Sequence, residues 1–152
     1  LYDRSVEHDA LVLGTSNKTE LLLGYGTIHG DLASALNPLG DLYKTQVREL
    51  SRALSVPKSI LDKPPSADLW PEQTDEADLG VTYDEVDRIL ALLVDARVSP
   101  GTIVAKGFRR ETVLRVQRLI LSSQFKRRMP VIAKVSTRSI GWDFRYARDW
   151  KT

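Results

Sequence analysis

Leu11-Val-Leu-Gly-Thr-Ser-Asn-Lys-Thr-Glu20 is the stretch of sequence that decides the fold. Its apolar start predicts a short buried strand over residues 10–13, and the polar residues that follow predict a tight turn and the start of a helix. Ligands of α/β sheets bind in the crevice beyond the carboxyl ends of the strands. Thr15, just past the strand, and Glu20, one turn into the helix, are therefore candidate ligand contacts.

A hydroxyl and a carboxylate at such a place suit a nucleotide and its Mg²⁺. This ion favours oxygen ligands, often one or two carboxylates together with substrate phosphates. The structural alternative is that Thr15 or Asn17 only caps the helix and that Glu20 is a solvated acid of its first turn. These residues alone leave both interpretations open.

The composition is that of one ordinary domain. Of the 152 residues, 42% are hydrophobic, which is enough for a packed core, and 28% are charged. The lack of cysteine excludes disulfides, cysteine nucleophiles and thiolate metal sites, and two histidines are too few for a histidine-rich metal site. No apolar run reaches the roughly 18 residues of a membrane span, and we expect a cytoplasmic protein.

The sequence also predicts that the chain is part of a longer protein. It starts at Leu1, and its only methionine is Met129. Besides residues 10–13, only residues 131–135 form a weaker strand candidate, whereas a parallel sheet needs several strands with both faces covered. We therefore expect an N-terminal half with the remaining strands to be absent from this sequence.

Charge is distributed unevenly along the chain. Residues 62–95 carry ten acidic and two basic side chains, a balance of −8, whereas residues 106–152 carry thirteen basic and three acidic ones, a balance of +10. The overall net charge of +2 hides this division. The asymmetry points to an anionic ligand for the C-terminal third, either phosphates or nucleic acid.

The rest of the sequence predicts amphipathic helices joined by irregular loops. Thr82 to Glu85 predicts a capping box, in which the threonine hydroxyl accepts from the backbone and the glutamate reaches back. The other predicted elements are the end of a helix over residues 1–9, a glycine-rich loop over 24–38, a helix over 44–54 with Val47, Leu50 and Leu54 on one stripe, a short helix opened by Pro57, an irregular segment over 63–80, a short helix from Ser99-Pro100 to Gly107, and a long helix over 110–126 with Val113, Val116, Leu119 and Ile120 on one side.

Three further places suggest anion binding. Lys44 begins a helix, where a lysine and free amides together suit a phosphate, although a surface lysine is the structural alternative. Ser66 lies in a proline-fixed loop and can donate to a phosphate oxygen or simply form a turn. Lys126-Arg-Arg128 closes the long helix, either as a phosphate clamp or as a solvated basic end.

Several short stretches, taken together, resemble the NAD synthetase family. They keep the order and spacing of that family over roughly residues 1–130, so the set is specific although each stretch is short. The stretches are Val12-Leu-Gly-Thr-Ser-Asn-Lys-Thr-Glu20, Gly30-Asp31, Pro38-Leu-Gly-Asp-Leu-Tyr-Lys44, Lys63-Pro-Pro-Ser-Ala-Asp-Leu69, Gln73-Thr-Asp75, Leu79-Gly-Val-Thr-Tyr-Asp84 and Phe125-Lys-Arg-Arg128.

The resemblance implies an α/β fold of the Rossmann-like adenine nucleotide alpha-hydrolase type, incomplete here as a helix-rich C-terminal portion, and usually a homodimer. It also implies a ligase that converts deamido-NAD into NAD with ATP and Mg²⁺, through an acyl-adenylate that ammonia attacks. The substrate carboxylate is itself the nucleophile, so no catalytic side chain is expected, and the protein contributes positioning and charge stabilisation. The implied roles are ATP contacts from Thr15, Lys44 and Ser66, Mg²⁺ binding by Glu20, and deamido-NAD contacts from Asp31 and Lys126.

The chain departs from the family pattern in several ways. A phosphate-binding loop of the form Ser-Gly-Gly-x-Asp-Ser is absent from the sequence, as is an arginine expected shortly before Leu1, so we expect these 152 residues alone to be inactive. Ile28 and Ala35 stand where some members have Lys and Asp, and Phe125 stands where others have His. The tail over residues 136–152 resembles glutamine-using members, but no glutaminase domain is present, which leaves the ammonia source open.

We expect one synthetase domain, with nucleotide-site elements in residues 1–80, a helical part in 81–129 and a basic tail in 130–152. Two other functions remain. One is another ligase of the same adenylating superfamily. The other is a nucleic-acid-binding module in which basic residues interleave with Trp142, Phe144, Tyr146 and Trp150. The balanced overall charge makes nucleic acid the less favoured partner.

Overall fold

Short α-helices make up most of the part of the chain that the computed structural model describes, residues 1–128 and 130–140. They are α1 (Tyr2–Glu7), α2 (Lys18–Leu23), α3 (Lys44–Ala53), α4 (Lys58–Leu61), α5 (Asp75–Leu79), α6 (Tyr83–Leu90), α7 (Pro100–Ala105) and α8 (Arg110–Ser122). A 3₁₀ turn, Gln124–Arg127, follows α8. No helix in these ranges is long and apolar enough to cross a membrane.

The apolar stripe of α6 is the centre of the core. Val86, Ile89 and Leu90 are fully buried, and each such side chain contributes about 1.5–3 kcal/mol by leaving water. Residues from several other helices complete the same cluster, namely Leu23, Leu79, Ile103, Val113 and Val116. The cluster thus joins segments from before and after Gly80.

The start of α6 follows the predicted cap only in part. The Thr82 hydroxyl accepts the Glu85 N–H at 3.3 Å, as a capping residue does. The Glu85 carboxylate, however, pairs with Arg109 at 3.6 Å instead of closing the box.

A π-helical turn, Ala91–Asp95, continues α6. It ends at a carboxylate that holds two neighbouring elements. The Asp95 carboxylate accepts from the Lys18 ammonium at 3.0 Å and from the Tyr43 hydroxyl at 2.8 Å, so it connects α2 with the residue that precedes α3. Turns of this kind recur at functional sites.

The predicted buried strand is only partly present. Residues 10–13 form no regular strand, and their bridge within the described residues is a single parallel one between Leu13 and Leu36. Val12 is buried, whereas Leu11 is 77% and Leu13 58% exposed. A strand is buried on both faces only where neighbouring strands and covering helices flank it. Within the described ranges, only residues 35 and 36 form backbone hydrogen bonds with the segment over residues 12–14.

The weaker strand candidate over residues 131–135 is wrong. These residues form no regular structure, and Val131 and Val135 are 90% and 96% exposed. Their β-branched side chains favour extended backbone, but an extended segment becomes a strand only when another segment completes its hydrogen bonds.

The segment predicted to be irregular over residues 63–80 contains the short helix α5. Thr74 caps it by accepting the Ala77 N–H at 3.2 Å, and Gly80 ends it in the left-handed conformation at φ 67°. This threonine and glycine were the available signals, because a polar cap and a glycine stop commonly bracket a helix.

Candidate active site

A cleft of about 940 Å³ lies beside α2 and α3, and the loops that follow α2 and α4 form the rest of its border. All six residues singled out from the sequence line it: Thr15, Glu20, Asp31, Lys44, Ser66 and Lys126. The fold therefore brings together side chains that are more than one hundred positions apart in the sequence.

Glu20 and Lys44 form an ion pair on one wall of the cleft. The Lys44 ammonium donates to Glu20 Oε1 at 3.0 Å, and the two side chains are only 21% and 15% exposed. Glu20 Oε2 accepts the Asn17 N–H at 3.1 Å, while the Asn17 side chain accepts the Glu20 N–H, which completes a capping box for α2. The alternative that Asn17 caps the helix is thus confirmed, but Glu20 is not a solvated acid.

The start of α3 corrects one premise about Lys44. The Lys44 N–H donates to the Thr19 hydroxyl at 3.0 Å and the Thr45 N–H to Asp87 at 2.9 Å, so these two amides are already bonded. The cationic group that α3 offers at this end is the Lys44 ammonium, which lies 5.3 Å from the centre of the Tyr83 ring. The Asp87 carboxylate offsets the unfavourable interaction of a lysine with this helix end.

Arg48 adds a second cation to this wall. It lies one turn after Lys44 on α3, lines the cleft, and its guanidinium is 5.9 Å from the same Tyr83 ring. Sequence reasoning missed it, although residues four apart on a helix share a face. Lys44 and Arg48 thus place two cationic groups on this side of the cleft, and the first of them is paired with Glu20.

Tyr25, Asp75 and Asp78 also line the cleft, and they belong to an acidic hydrogen-bonded group that was not predicted from the sequence. The Tyr25 hydroxyl donates to Asp75 at 3.1 Å and to Asp78 at 2.9 Å, and the Tyr83 hydroxyl donates to Asp75 at 2.8 Å. Gln73 donates to Asp78 at 2.7 Å. Burial, and then the neighbouring carboxylates, raise the pKa of both tyrosines, so their hydroxyls stay protonated donors.

Lys126 closes the cleft by holding the loop after α2. Its ammonium donates to the carbonyl oxygens of Gly24 at 2.8 Å and Gly26 at 2.6 Å, and Arg127 donates to those of Leu21 and Leu22. Cations at the end of a helix satisfy its last carbonyls. Gly24 adopts φ 68°, and a Cβ there would lie 2.1 Å from the Ser123 Cβ, so only glycine allows this close approach. Lys126 and Arg127 are thus bonded to backbone carbonyls and do not form the solvated basic end that was the structural alternative. The four aromatic residues of the nucleic-acid alternative lie outside the described residues.

The remaining predicted residues have modest local roles. Asp31 accepts the Thr27 N–H at 2.8 Å and thereby fixes the loop in which it lies. Ser66 accepts the Asp68 N–H at 3.0 Å, as expected of a turn, and still lines the cleft. Thr15 is exposed and directly follows the segment over residues 12–14.

Glu20 could supply one carboxylate ligand to a Mg²⁺ ion. Each Glu20 oxygen has one partner, and a carboxylate oxygen can accept more than one. Within the described part of the chain, no cluster of three or more metal-binding side chains occurs, so this ion would take its other ligands from phosphates, water or residues outside the described ranges.

Comparisons of sequence place the chain among synthetases. The family model described as NAD synthase matches residues 1–130. The NH(3)-dependent NAD(+) synthetase of Trichlorobacter lovleyi is 60% identical over 150 residues, which is 99% of this chain and 55% of that protein. The enzyme of the same name from Chlorobium phaeobacteroides is 56% identical over 99% of this chain and 54% of its own length. The chain thus spans about half the length of the curated relatives that it matches.

Comparisons of structure agree. The NMN synthetase from Francisella tularensis has a TM-score of 0.74 at 37% identity, over 88% of this chain and 50% of that one. The NH3-dependent NAD synthetase from Campylobacter jejuni, solved with nitrate, has a TM-score of 0.67 at 32% identity and the same coverage. These matches confirm the predicted α/β class, of which the described residues form a helix-rich part.

Proposed function

From the premise that this chain belongs to the NAD synthase family, we propose that the cleft contributes to the ATP-dependent amidation of deamido-NAD. The convergence of the six predicted residues on one cleft of about 940 Å³ is the observation that supports this most. In the proposed reaction, a carboxylate oxygen of deamido-NAD attacks the α-phosphorus of ATP, and the bond to pyrophosphate breaks. Ammonia then attacks the acyl carbon, loses a proton, and AMP leaves with the bonding electrons.

The residues of this chain would act by binding and orienting the reactants. Lys44 would contact the ATP phosphates from the cationic wall, and Thr15 and Ser66 would contact the nucleotide through their hydroxyls. Glu20 would hold Mg²⁺, which when bound neutralises phosphate charge. Asp31 and Lys126 would contact deamido-NAD, and Lys126 retains donor capacity because an ammonium carries three donors and two of them bond to carbonyls. We further propose that residues 1–80 supply the nucleotide contacts, that the protein is a homodimer, and that this chain alone is inactive.

Free ammonia is the proposed nitrogen donor. Relatives that are 54–60% identical to this chain are named NH(3)-dependent, which favours ammonia over glutamine. A second candidate substrate follows from the Francisella tularensis match, since that protein is an NMN synthetase. The deamido form of NMN carries the same carboxylate and lacks the adenylyl half.

The test uses the full-length protein that contains this chain. It should form NAD from deamido-NAD, ATP, Mg²⁺ and ammonium, with little activity when glutamine replaces ammonium or deamido-NMN replaces deamido-NAD. Lys44→Ala and Glu20→Ala should each lower kcat/KM by about 100- to 1000-fold without unfolding the protein, as expected for loss of a single stabilising group. Lys58→Ala is the matched control, because Lys58 is exposed and paired with Asp62. Full activity of the Lys44 and Glu20 variants would refute these roles. A preference for deamido-NMN over deamido-NAD would make deamido-NMN the substrate.

A further inference from the structure

Asp87 is a buried carboxylate beneath the candidate active site. Asp87 lies on α6 and is 4% exposed. An ionised group is costly to bury unless it is paired. Both oxygens have partners: the Thr19 hydroxyl donates to Oδ1 at 2.5 Å, and the Thr45 N–H donates to Oδ2 at 2.9 Å. Asp87 on α6 therefore contacts α2 and α3 at the same time.

The contact with α2 continues into α3. Thr19, which is fully buried, accepts the Lys44 N–H at 3.0 Å while it donates to Asp87. The first two N–H groups of α3 are therefore bonded to Asp87, one directly and one through Thr19. Thr19 directly precedes Glu20, and Lys44 is the ion-pair partner of Glu20.

A helix usually receives its cap from the residue before it, and that residue is a serine, threonine, aspartate or asparagine. In α3 this residue is Tyr43, whose hydroxyl donates to Asp95. The cap comes instead from a different helix, which also supplies the Tyr83 ring next to the Lys44 ammonium. Tyr83 and Asp87 are four residues apart and so share a face of α6.

We propose that Asp87 is a positioning residue of the active site. By bonding to Thr19 and Thr45 it fixes α2 against α3, and this sets the location of Lys44 relative to Glu20. The inference rests on the proposed function, because it matters for activity only if Lys44 and Glu20 bind the reactants.

The first test compares Asp87→Asn with Asp84→Asn in the full-length protein. An asparagine has one acceptor oxygen, so it cannot accept from both Thr19 and Thr45 as the carboxylate does. Asp87→Asn should lower kcat/KM for ATP by about 10- to 100-fold, largely through a higher KM, as small displacements of a binding group do. Asp84, on the same helix but exposed, should change kcat/KM by less than about twofold.

A double-mutant cycle separates positioning from a general loss of structure. If Asp87 acts through Lys44, adding Asp87→Asn to Lys44→Ala should cost little more than Lys44→Ala alone. The same fold loss in both backgrounds would overturn the proposal. Thr19→Ser, which keeps the hydroxyl, should retain activity, and Thr19→Val should lose it; equal activity of these two would also overturn the proposal.

If Asp87→Asn does not fold, the comparison of Thr19→Ser with Thr19→Val tests the proposal instead. If the unmodified full-length protein makes no NAD, the proposed function fails on its own. The crystal structures of that protein and of Asp87→Asn then decide the inference: a Lys44–Glu20 contact kept near 3.0 Å in both would overturn it, and its loss in the variant would support it.

Discussion

Helices α6 and α3 have similar patterns in sequence and opposite surroundings in the structure. Val86, Ile89 and Leu90 of α6 are fully buried. In α3 no residue is buried, and Leu50, on the predicted apolar stripe, is 41% exposed. Periodicity thus identifies which side chains share a face, but it does not identify what lies opposite that face.

The difference extends to what holds each region together. The region around α6 is stabilised by apolar burial, whereas the region around α3 and the cleft depends on polar contacts from Asn17, Asp87 and Arg127. Apolar contacts are tolerant of direction, but hydrogen bonds are not. The second region is therefore suited to orienting ligands, and the following variants of the full-length protein test this division.

The largest effect is expected in the core. Ile89→Ala should lower the free energy of unfolding by about 2–5 kcal/mol, because it leaves a cavity among buried side chains. Leu50→Ala should change it by no more than about 0.5 kcal/mol, as is usual for surface positions. Urea unfolding measures both. Similar losses would abolish the contrast and would mean that the face of α3 is covered in the full-length protein.

The next effect concerns the carbonyls of α2 and α8 that accept from Arg127. Arg127→Ala should cost about 1–3 kcal/mol, because it leaves partly buried oxygens of Leu21, Leu22 and Ile120 without their donor. Arg118→Ala, at an exposed position of α8, is the control and should have little effect. Equal urea midpoints for these variants would show that α2 does not depend on its polar support.

Local signals account for what the sequence predicted of the fold. Ser99 caps α7 and Pro100 begins it, because caps and proline act on their immediate neighbours. The pairing of residues 10–13 could not be predicted, because a strand needs partners that are distant in sequence. Five of the six site residues, all but Lys126, lie in the first half of the chain, and the family resemblance gave their roles. The roles of Asp87 and Tyr83 near the cleft were not predicted, because both lie on α6, a helix whose apolar pattern indicates only a place in the core.

A smaller effect should distinguish two helix caps. Asn17→Ala and Thr82→Ala should each cost about 1 kcal/mol of stability, because each removes the acceptor for an N–H of the first turn. Only Asn17→Ala should also lower NAD formation, because Asn17 holds Glu20 at the cleft. Activity assays beside urea unfolding measure this, and equal activity of the two variants would contradict the link between cap and site.

The smallest effect should depend on pH. Hydrogen bonds from Lys18, and then from Tyr43, hold the pKa of Asp95 below its usual range. A lowered pKa gives stability that is present above the unfolded-state value, near 4, and that is lost as pH falls through the native value. Asp95→Asn should therefore cost less than about 1 kcal/mol at neutral pH, since the carboxylate is 46% exposed, and the difference should shrink below pH 4. A difference that persists in acid would contradict this.

The π-helical turn, Ala91–Asp95, has a consequence for insertions and deletions. Such a turn holds one residue more than the regular helix, so its length is what brings Asp95 to Lys18 and Tyr43. Deleting one residue before Asp95 would let a regular turn replace this one, and Asp95 would keep its direction, because the two kinds of turn differ by that one residue. Relatives that lack one residue in this turn are therefore expected to keep the carboxylate that joins α2 to the start of α3, whereas a regular turn of unchanged length would rotate it by about 100°.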